Sequence, residues 1–169
     1  MSGGANTLSA YGIRAPLPTG WEGQFTLLKP QPPNPQAVLN PAMSEVTNPF
    51  LHLGNFPLPP NRGAFGTGAV ETMNAGNVFM SLLEYSSESV GKALFAPQGL
   101  PRGLNPGQFS PNALQRIIPG QGGFQAFFTE AGRAFSLYVV LGGLSQAGTI
   151  LSQVNQILDG ISVSSIGGI

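Results

Sequence analysis

Ser145 is the first residue whose surroundings have the form of a catalytic motif. It lies in Gly143-Leu-Ser-Gln-Ala147, between a strand-like and a helix-like segment, where a nucleophile elbow would present its serine. Such a serine needs a histidine base, and hydrolases with this elbow place that histidine downstream, whereas the single histidine of this chain is upstream. A serine that caps the following helix needs no further partner. The sequence therefore favours a helix cap and leaves a hydrolase-like enzyme, using Ser145 or Glu84, as an alternative.

His52 is the second candidate, and it lies within the strand-like run Phe50-Leu-His-Leu-Gly-Asn-Phe56. Protein metal sites usually have three or four protein ligands. One histidine, no cysteine and seven scattered carboxylates argue against such a site, so we expect no metal and no cofactor. We predict that His52 is a hydrogen-bonded or half-exposed strand residue. It is also the one side chain with an ordinary pKa close to neutral pH.

Three charged residues fall at the ends of predicted strands and form the third candidate. Glu84 ends an apolar strand, and Glu130 and Arg133 lie at a hairpin turn. If these ends adjoin, Glu84 and Arg133 form an ion pair near a pocket, where a carboxylate in apolar surroundings is a candidate acid or base. A structural pair or a solvated strand end is the alternative. The remaining candidate binding residues are aromatic: Trp21, Tyr85 and Tyr138.

Charged residues are scarce throughout the chain. The 169 residues include seven Lys or Arg and seven Asp or Glu, so the net charge is zero and charged residues make up 8%, against roughly 25% in ordinary soluble domains. Seven scattered cations cannot form the basic surface that nucleic-acid binding requires. The absence of cysteine excludes disulfides, thiolate nucleophiles and thiolate metal sites.

Several apolar runs of strand length must position these residues. We predict strands over 11–17, 24–29, 49–56 and 77–85, with a turn at 18–22 and a short helix over 68–73. The run 77–85 is almost continuously apolar, as a strand buried on both faces would be.

The segment 124–141 predicts a hairpin in a defined register. Pairing Thr129 with Ala134 leaves 130–133 as the loop and places Phe128 opposite Phe135. The same register pairs Ala126 with Leu137 and Phe124 with Val139. One face is then wholly apolar, and the other carries Gln125, Thr129, Ser136 and Tyr138. A slip by one residue would mix the two faces, so the pattern selects this register.

A helix is predicted near the end of the chain. Leu151, Val154, Leu158 and Ile161 follow helical spacing, and Gly160 is a typical C-terminal stop. We expect Ser145 or Thr149 to cap its start. Although residues 134–158 carry no charge, amides and a Gly-Gly pair interrupt them, which favours a strand followed by a helix over a membrane span.

Glycine and proline concentrate in three predicted loops, at 30–48, 57–68 and 86–123. A loop as long as 86–123 is uncommon in a compact domain, and its short apolar pieces predict that it folds back on the body. We expect a flexible N-terminus over 1–10, a single domain over 11–163 and a flexible C-terminus over 164–169.

Together these elements predict an α+β domain in which an amphipathic C-terminal helix packs on an antiparallel sheet of about six strands. A strand ending in Pro18-Thr-Gly-Trp21, a central meander and a helix running into Ile157-Leu-Asp-Gly-Ile-Ser-Val163 resemble the PsbP-like α/β/α sandwiches. That resemblance implies a binding, assembly or accessory role, often without catalysis. No site motif is shared, so it assigns no functional residue.

The sequence thus favours a non-enzymatic binding or assembly module that acts through apolar and amide-rich surface. We expect a protein partner or a second copy of the chain, because a surface with so few charged residues favours association. The alternative is a small apolar-ligand or lipid binder with a cavity between sheet and helix. The N-terminus has no basic region followed by an apolar run, so no signal peptide is predicted and the cytoplasm is the default compartment.

Overall fold

The computed structural model describes residues 6–27 and 49–165. The predicted loop 30–48 lies outside them. The described residues form an α+β fold with antiparallel sheets, as predicted. Its elements, in chain order, are β1 (Asn6–Ala10), β2 (Ile13–Leu17), β3 (Glu22–Leu27), β4 (Pro49–Gly54), β5 (Val78–Glu84), β6 (Gly122–Glu130), β7 (Arg133–Leu141), α1 (Ala147–Gly160) and β8 (Ser162–Val163).

The strands divide into two sheets. One has the order β1-β2-β8 and the other β3-β4-β5-β7-β6, with antiparallel pairing throughout. The turn at 18–21, closed by a hydrogen bond from Trp21 N to Pro18 O at 3.1 Å, carries the chain from one sheet to the other. The strand β1 falls within residues 1–10, which were predicted to be a flexible N-terminus. All five of its residues pair with β2.

The hairpin β6–β7 has the predicted register, with Phe128 opposite Phe135 and Ala126 opposite Leu137. The loop is shorter than predicted because Glu130 and Arg133 also pair, which leaves Ala131 and Gly132. Their φ angles are +54° and +75°, and positive φ at both positions is what a two-residue type I′ turn requires.

The helix α1 confirms the predicted C-terminal helix, but the predicted caps are wrong. Leu144–Gln146 form a 3-10 turn, and Gln146 occupies the cap position without a side-chain hydrogen bond. Ser145 is exposed inside that turn, and Thr149 lies in the first turn of α1. The predicted short helix over 68–73 is a single 3-10 turn at Val70–Thr72.

Both faces of the five-stranded sheet are covered. On one face, side chains of β4, β5 and β7 pack against α1 and β2 in the main core, which includes Leu53, Met80, Val139, Val154 and Ile13. The opposite face packs against loops in two smaller clusters, which include Phe79, Val140, Leu114, Phe50 and Phe95. The strands β4, β5 and β7 are buried along their whole length, as predicted for 77–85.

The segment 86–123 folds back on the body, as predicted. It contains four 3-10 turns and buries Phe95, Leu100, Leu104 and Phe109. It also covers the outer edge of β6, because Gln98 pairs with Thr129 and Ser110 with Gly123. The uncharged stretch 134–158 forms β7 and α1, and none of the helices in the described ranges is long and apolar enough to cross a membrane.

Candidate functional site

Five polar side chains form a continuous row across the five-stranded sheet. Register pairs Gln24 with His52, His52 with Ser81, Ser81 with Tyr138, and Tyr138 with Gln125. Directly paired residues share a face of the sheet, so this row, which we call the polar row, lies on the loop-covered face. It brings together His52 and Tyr138, two of the predicted site residues.

Arg62, in the loop 57–68, binds one end of the polar row. Its Nε donates to His52 Nδ1 at 2.7 Å and its Nη2 donates to Gln24 Oε1 at 2.7 Å. Its Nη1 donates to Pro59 O, also at 2.7 Å. This one guanidinium group therefore links the loop to both β3 and β4, in addition to the bonds from Leu58 N to Glu22 Oε1 and from His52 Nε2 to Ala64 O.

His52 is fully buried and both of its ring nitrogens are engaged. Because Arg62 can only donate, Nδ1 must be the acceptor, and Nε2 carries the proton that it donates to Ala64 O at 2.8 Å. Burial between the rings of Phe50 and Phe79 disfavours the imidazolium. This desolvation, opposed by the Ala64 bond and helped by the charge of Arg62, lowers the pKa of His52 from 6.5 to about 4. The predicted hydrogen-bonded strand histidine is confirmed, and it is neutral at pH 7.

The two tyrosines among the predicted site residues are also bonded internally. The Tyr138 hydroxyl accepts from Gln115 N at 2.8 Å, and that of Tyr85 lies 3.2 Å from Ser136 Oγ. Burial raises the pKa of both phenols, so both are protonated at neutral pH. Each hydroxyl therefore fixes a loop or a neighbouring strand.

Glu84 and Arg133 form the predicted ion pair, and they form it in the interior. Arg133 donates from Nε to Glu84 Oε2 at 2.8 Å and from Nη2 to Oε1 at 2.6 Å. Both side chains are 4% exposed. Arg133 also donates to Tyr11 O at 2.8 Å and Ser164 O at 2.9 Å. The pair therefore joins the two sheets, and its carboxylate oxygens are both occupied by the guanidinium.

Glu130 and Trp21 each hold a separate part of the fold. Glu130 Oε1 accepts a hydrogen bond from Leu100 N at 2.8 Å, which ties the turn of β6–β7 to the segment 86–123. Trp21 is 7% exposed and belongs to the main core. The three residues that were expected to cluster therefore have two separate roles. Glu84 and Arg133 form an ion pair, and Glu130 binds the segment 86–123.

In the part of the chain that the structure describes, the one histidine is engaged by groups other than Ser145. Ser145 is exposed, while both nitrogens of His52 are bonded to Arg62 and Ala64, so neither nitrogen accepts from the serine. No group of three or more potential metal ligands occurs among the described residues. Side chains of the main core occupy the space between sheet and α1, where the ligand alternative places a cavity.

A surface groove of about 610 Å³ lies beside the loop 57–68. It is lined by residues 55–60 together with Thr72, Asn74 and Asn77, and these nine residues are all uncharged. Asn55 Oδ1 accepts from Val78 N at 2.8 Å and its Nδ2 donates to Gly76 O at 3.1 Å. Asn77 Oδ1 accepts from Asn74 N at 2.7 Å. Two of the amides thus hold the groove in shape, while Asn74 is exposed.

Sequence reasoning missed Arg62, Gln24 and Ser81 as partners of His52, and it missed the groove. The pairing of these residues depends on strand order, which no local pattern encodes. A local signal did exist for Arg62, because it is the one cation of the loop 57–68 and an arginine in an apolar loop needs acceptors.

Comparisons of the chain with protein-family models, with curated proteins and with solved structures found no match. The PsbP-like architecture therefore stays a prediction.

Proposed function

We propose that this chain is a non-enzymatic binding module and that the groove formed by residues 55–60 and 72–77 receives an uncharged segment of a protein partner. One observation carries the proposal: the buried groups suited to chemistry are bonded to one another, whereas the groove presents apolar and amide surface. The ring nitrogens of His52 are engaged with Arg62 and Ala64, and both oxygens of Glu84 are engaged with Arg133.

The lining of the groove supports the choice of occupant. Pro57, Leu58 and the next two prolines supply apolar surface, and Asn74 supplies an amide for hydrogen bonding. A charged segment would lose hydration there without gaining an opposite charge. Rigid prolines and bonded asparagines also limit the conformational entropy that binding would cost.

Comparison of three forms of the purified chain tests the proposal. Asn74→Arg places a charge in the groove at an exposed position. Leu94→Arg is the matched control. It places a charge outside the groove, at a 50% exposed apolar residue of the segment 86–123. Each form is assayed for self-association by analytical ultracentrifugation and for capture of proteins from a native extract by quantitative mass spectrometry.

We expect one association, with a protein or with a second copy, to be retained by wild type and Leu94→Arg and lost by Asn74→Arg. An association lost only in Leu94→Arg would move the binding surface to the segment 86–123 and overturn the groove. Labelling of the chain by a serine-reactive probe, abolished in Ser145→Ala, would overturn the non-enzymatic assignment. Ligand released on denaturation and identified by mass spectrometry would support the apolar-ligand alternative instead.

A further inference from the structure

We propose that the bond between Arg62 and neutral His52 is an acid-sensitive latch, and that protonation of His52 releases residues 57–62, which include one wall of the groove, from the sheet. The proposal rests on the proposed function only for its consequence in binding. The release itself is a property of the isolated chain.

Only one ring nitrogen of His52 is available to accept the hydrogen bond from Arg62. The Nδ1 atom is the acceptor for Arg62 Nε at 2.7 Å, and Nε2 already donates to Ala64 O at 2.8 Å. A proton that enters the ring must therefore add at Nδ1. The bond to Arg62 is then lost, and two cations face each other at hydrogen-bond distance, the imidazolium buried and the guanidinium partly buried.

The groups around His52 offer little compensation for a second positive charge. The strand β5 contributes Ser81 and the ring of Phe79, and β4 contributes the ring of Phe50. The strand β3 contributes the neutral amide of Gln24. The carboxylate in this neighbourhood is Glu22 of β3, which accepts from Leu58 N at 2.9 Å and acts on Arg62 through its charge.

The release is confined to one part of the loop. Protonation leaves the Nε2 bond to Ala64 O in place, and Ser81 Oγ also donates to Ala64 O at 2.8 Å. Phe65 packs edge-on against Tyr138, with ring centroids 5.6 Å apart. Residues 57–62 lack those anchors. Besides the bond to His52, they are held to β3 by Leu58 N, which donates to Glu22 Oε1 at 2.9 Å, and by Arg62 Nη2, which donates to Gln24 Oε1 at 2.7 Å. Four of these residues line the groove. The structure thus joins a titratable contact to one wall of the proposed binding site.

The absence of cysteine allows a direct test with a single spin label. Asn61→Cys places a nitroxide on the exposed residue before Arg62, and Ser145→Cys places one on a distant exposed turn as the control. Electron paramagnetic resonance reports label mobility from pH 7 to pH 3.5, and circular dichroism reports whether the fold persists. The ¹⁵N shifts of the single histidine report its tautomer and its titration.

At neutral pH we expect the Nε2–H tautomer. On acidification, the Asn61 label should become mobile with the same midpoint as the imidazole, near pH 4, while the Ser145 label is unchanged. The transition should persist in Glu22→Gln and disappear in His52→Gln. If His52→Gln does not fold, Arg62→Gln replaces it and should leave the Asn61 label mobile at every pH.

Three results would overturn the latch. The Asn61 label could stay immobile while the imidazole titrates, its transition could survive in His52→Gln, or it could vanish in Glu22→Gln, which would assign the effect to the carboxylate. Because no partner is present in these measurements, failure of the groove as a binding site leaves their outcome intact. Failure of the latch equally leaves the groove to be tested with Asn74→Arg.

Discussion

Arg133 binds Glu84 through two hydrogen bonds and, with its remaining donors, binds the backbone carbonyls of Tyr11 and Ser164. The carboxylate comes from β5 and Tyr11 from the turn between β1 and β2. Ser164 directly follows β8. One guanidinium therefore connects the five-stranded sheet to the end of the three-stranded sheet where the β1–β2 turn lies beside Ser164. The fork of five donors that arginine provides suits this position, whereas lysine has a single donor group.

Removal of the carboxylate should strongly destabilise the fold. In Glu84→Gln the buried Arg133 keeps its charge and loses its counterion, which typically costs about 3–5 kcal/mol. Urea unfolding monitored by circular dichroism measures the change in free energy. Arg116→Ala is the control, because Arg116 is 74% exposed and its contact with Glu71 is 3.6 Å long, so it should cost less than about 1 kcal/mol. Equal effects of the two substitutions would contradict the structural role of the pair.

The sequence predicted this pair because both residues fall at the ends of predicted strands, and it predicted the hairpin register because that register makes one face wholly apolar. It did not predict that β2 leaves the larger sheet. The partner β1, with the sequence Asn-Thr-Leu-Ser-Ala, has a single large apolar residue, so its alternation carries no strand signal. Pairing with β2 and β8 is a tertiary effect.

The network around His52 illustrates the same limit. The sequence identified His52 and its strand. It did not identify Arg62, because the contact joins a loop to a strand ten residues away and depends on how that loop folds. The prediction that Ser145 caps α1 was wrong for a related reason. The 3-10 turn at Leu144–Gln146 places Ser145 before the helix and in solvent.

Asn155 should prove essential for holding the segment 86–123 on the helix. Its Oδ1 accepts from Leu104 N at 2.8 Å and its Nδ2 donates to Leu104 O at 2.9 Å. Asn155→Ala leaves both backbone groups of Leu104 without these partners, which costs about 1–3 kcal/mol. Gln153→Ala, at an exposed position of the same helix, is the control and should be nearly neutral.

Trypsin supplies a local measurement of the same contact. Arg102 is a tryptic site, and its Nη1 and Nη2 donate to the carbonyls of Leu158 and Ile161 at the end of α1. Cleavage after Arg102 should be faster in Asn155→Ala than in wild type or Gln153→Ala. Identical cleavage rates in all three proteins would show that Asn155 does not hold this segment on the helix.

A substitution at Ala131, in the turn between β6 and β7, should increase the stability of the fold. Ala131 has a φ of +54°, a conformation that costs most L-residues roughly 1–2 kcal/mol and that asparagine tolerates better. Ala131→Asn creates the Asn-Gly pair preferred in type I′ turns, and we expect a gain of about 0.5–1 kcal/mol. Thermal unfolding measures the gain, with Ala131→Val as the opposite case. A lower melting temperature for Ala131→Asn would contradict the assigned turn.

The stability of the whole fold should depend on pH through His52. Its pKa is about 4 in the folded chain and 6.5 as the reference value for the unfolded chain, so between these values the unfolded chain binds the proton and the folded chain does not. The free energy of unfolding must therefore fall as the pH falls from 6.5 to 4, by at most about 1.4 kcal/mol per pH unit and about 3 kcal/mol in all. Below pH 4 this contribution levels off, because the folded chain is protonated as well.

Urea unfolding at a series of pH values from 7 to 4 measures this dependence. Because the chain has one histidine, a loss of stability that begins near pH 6.5 has a single side-chain source. The variant His52→Gln should show a flat profile down to about pH 5, where carboxylates begin to titrate, while Glu22→Gln should follow wild type over that range. A sloping profile in His52→Gln would show that His52 is not the group responsible. A flat profile in wild type would show that His52 is protonated equally well in the folded chain, which its bonds to Arg62 and Ala64 argue against.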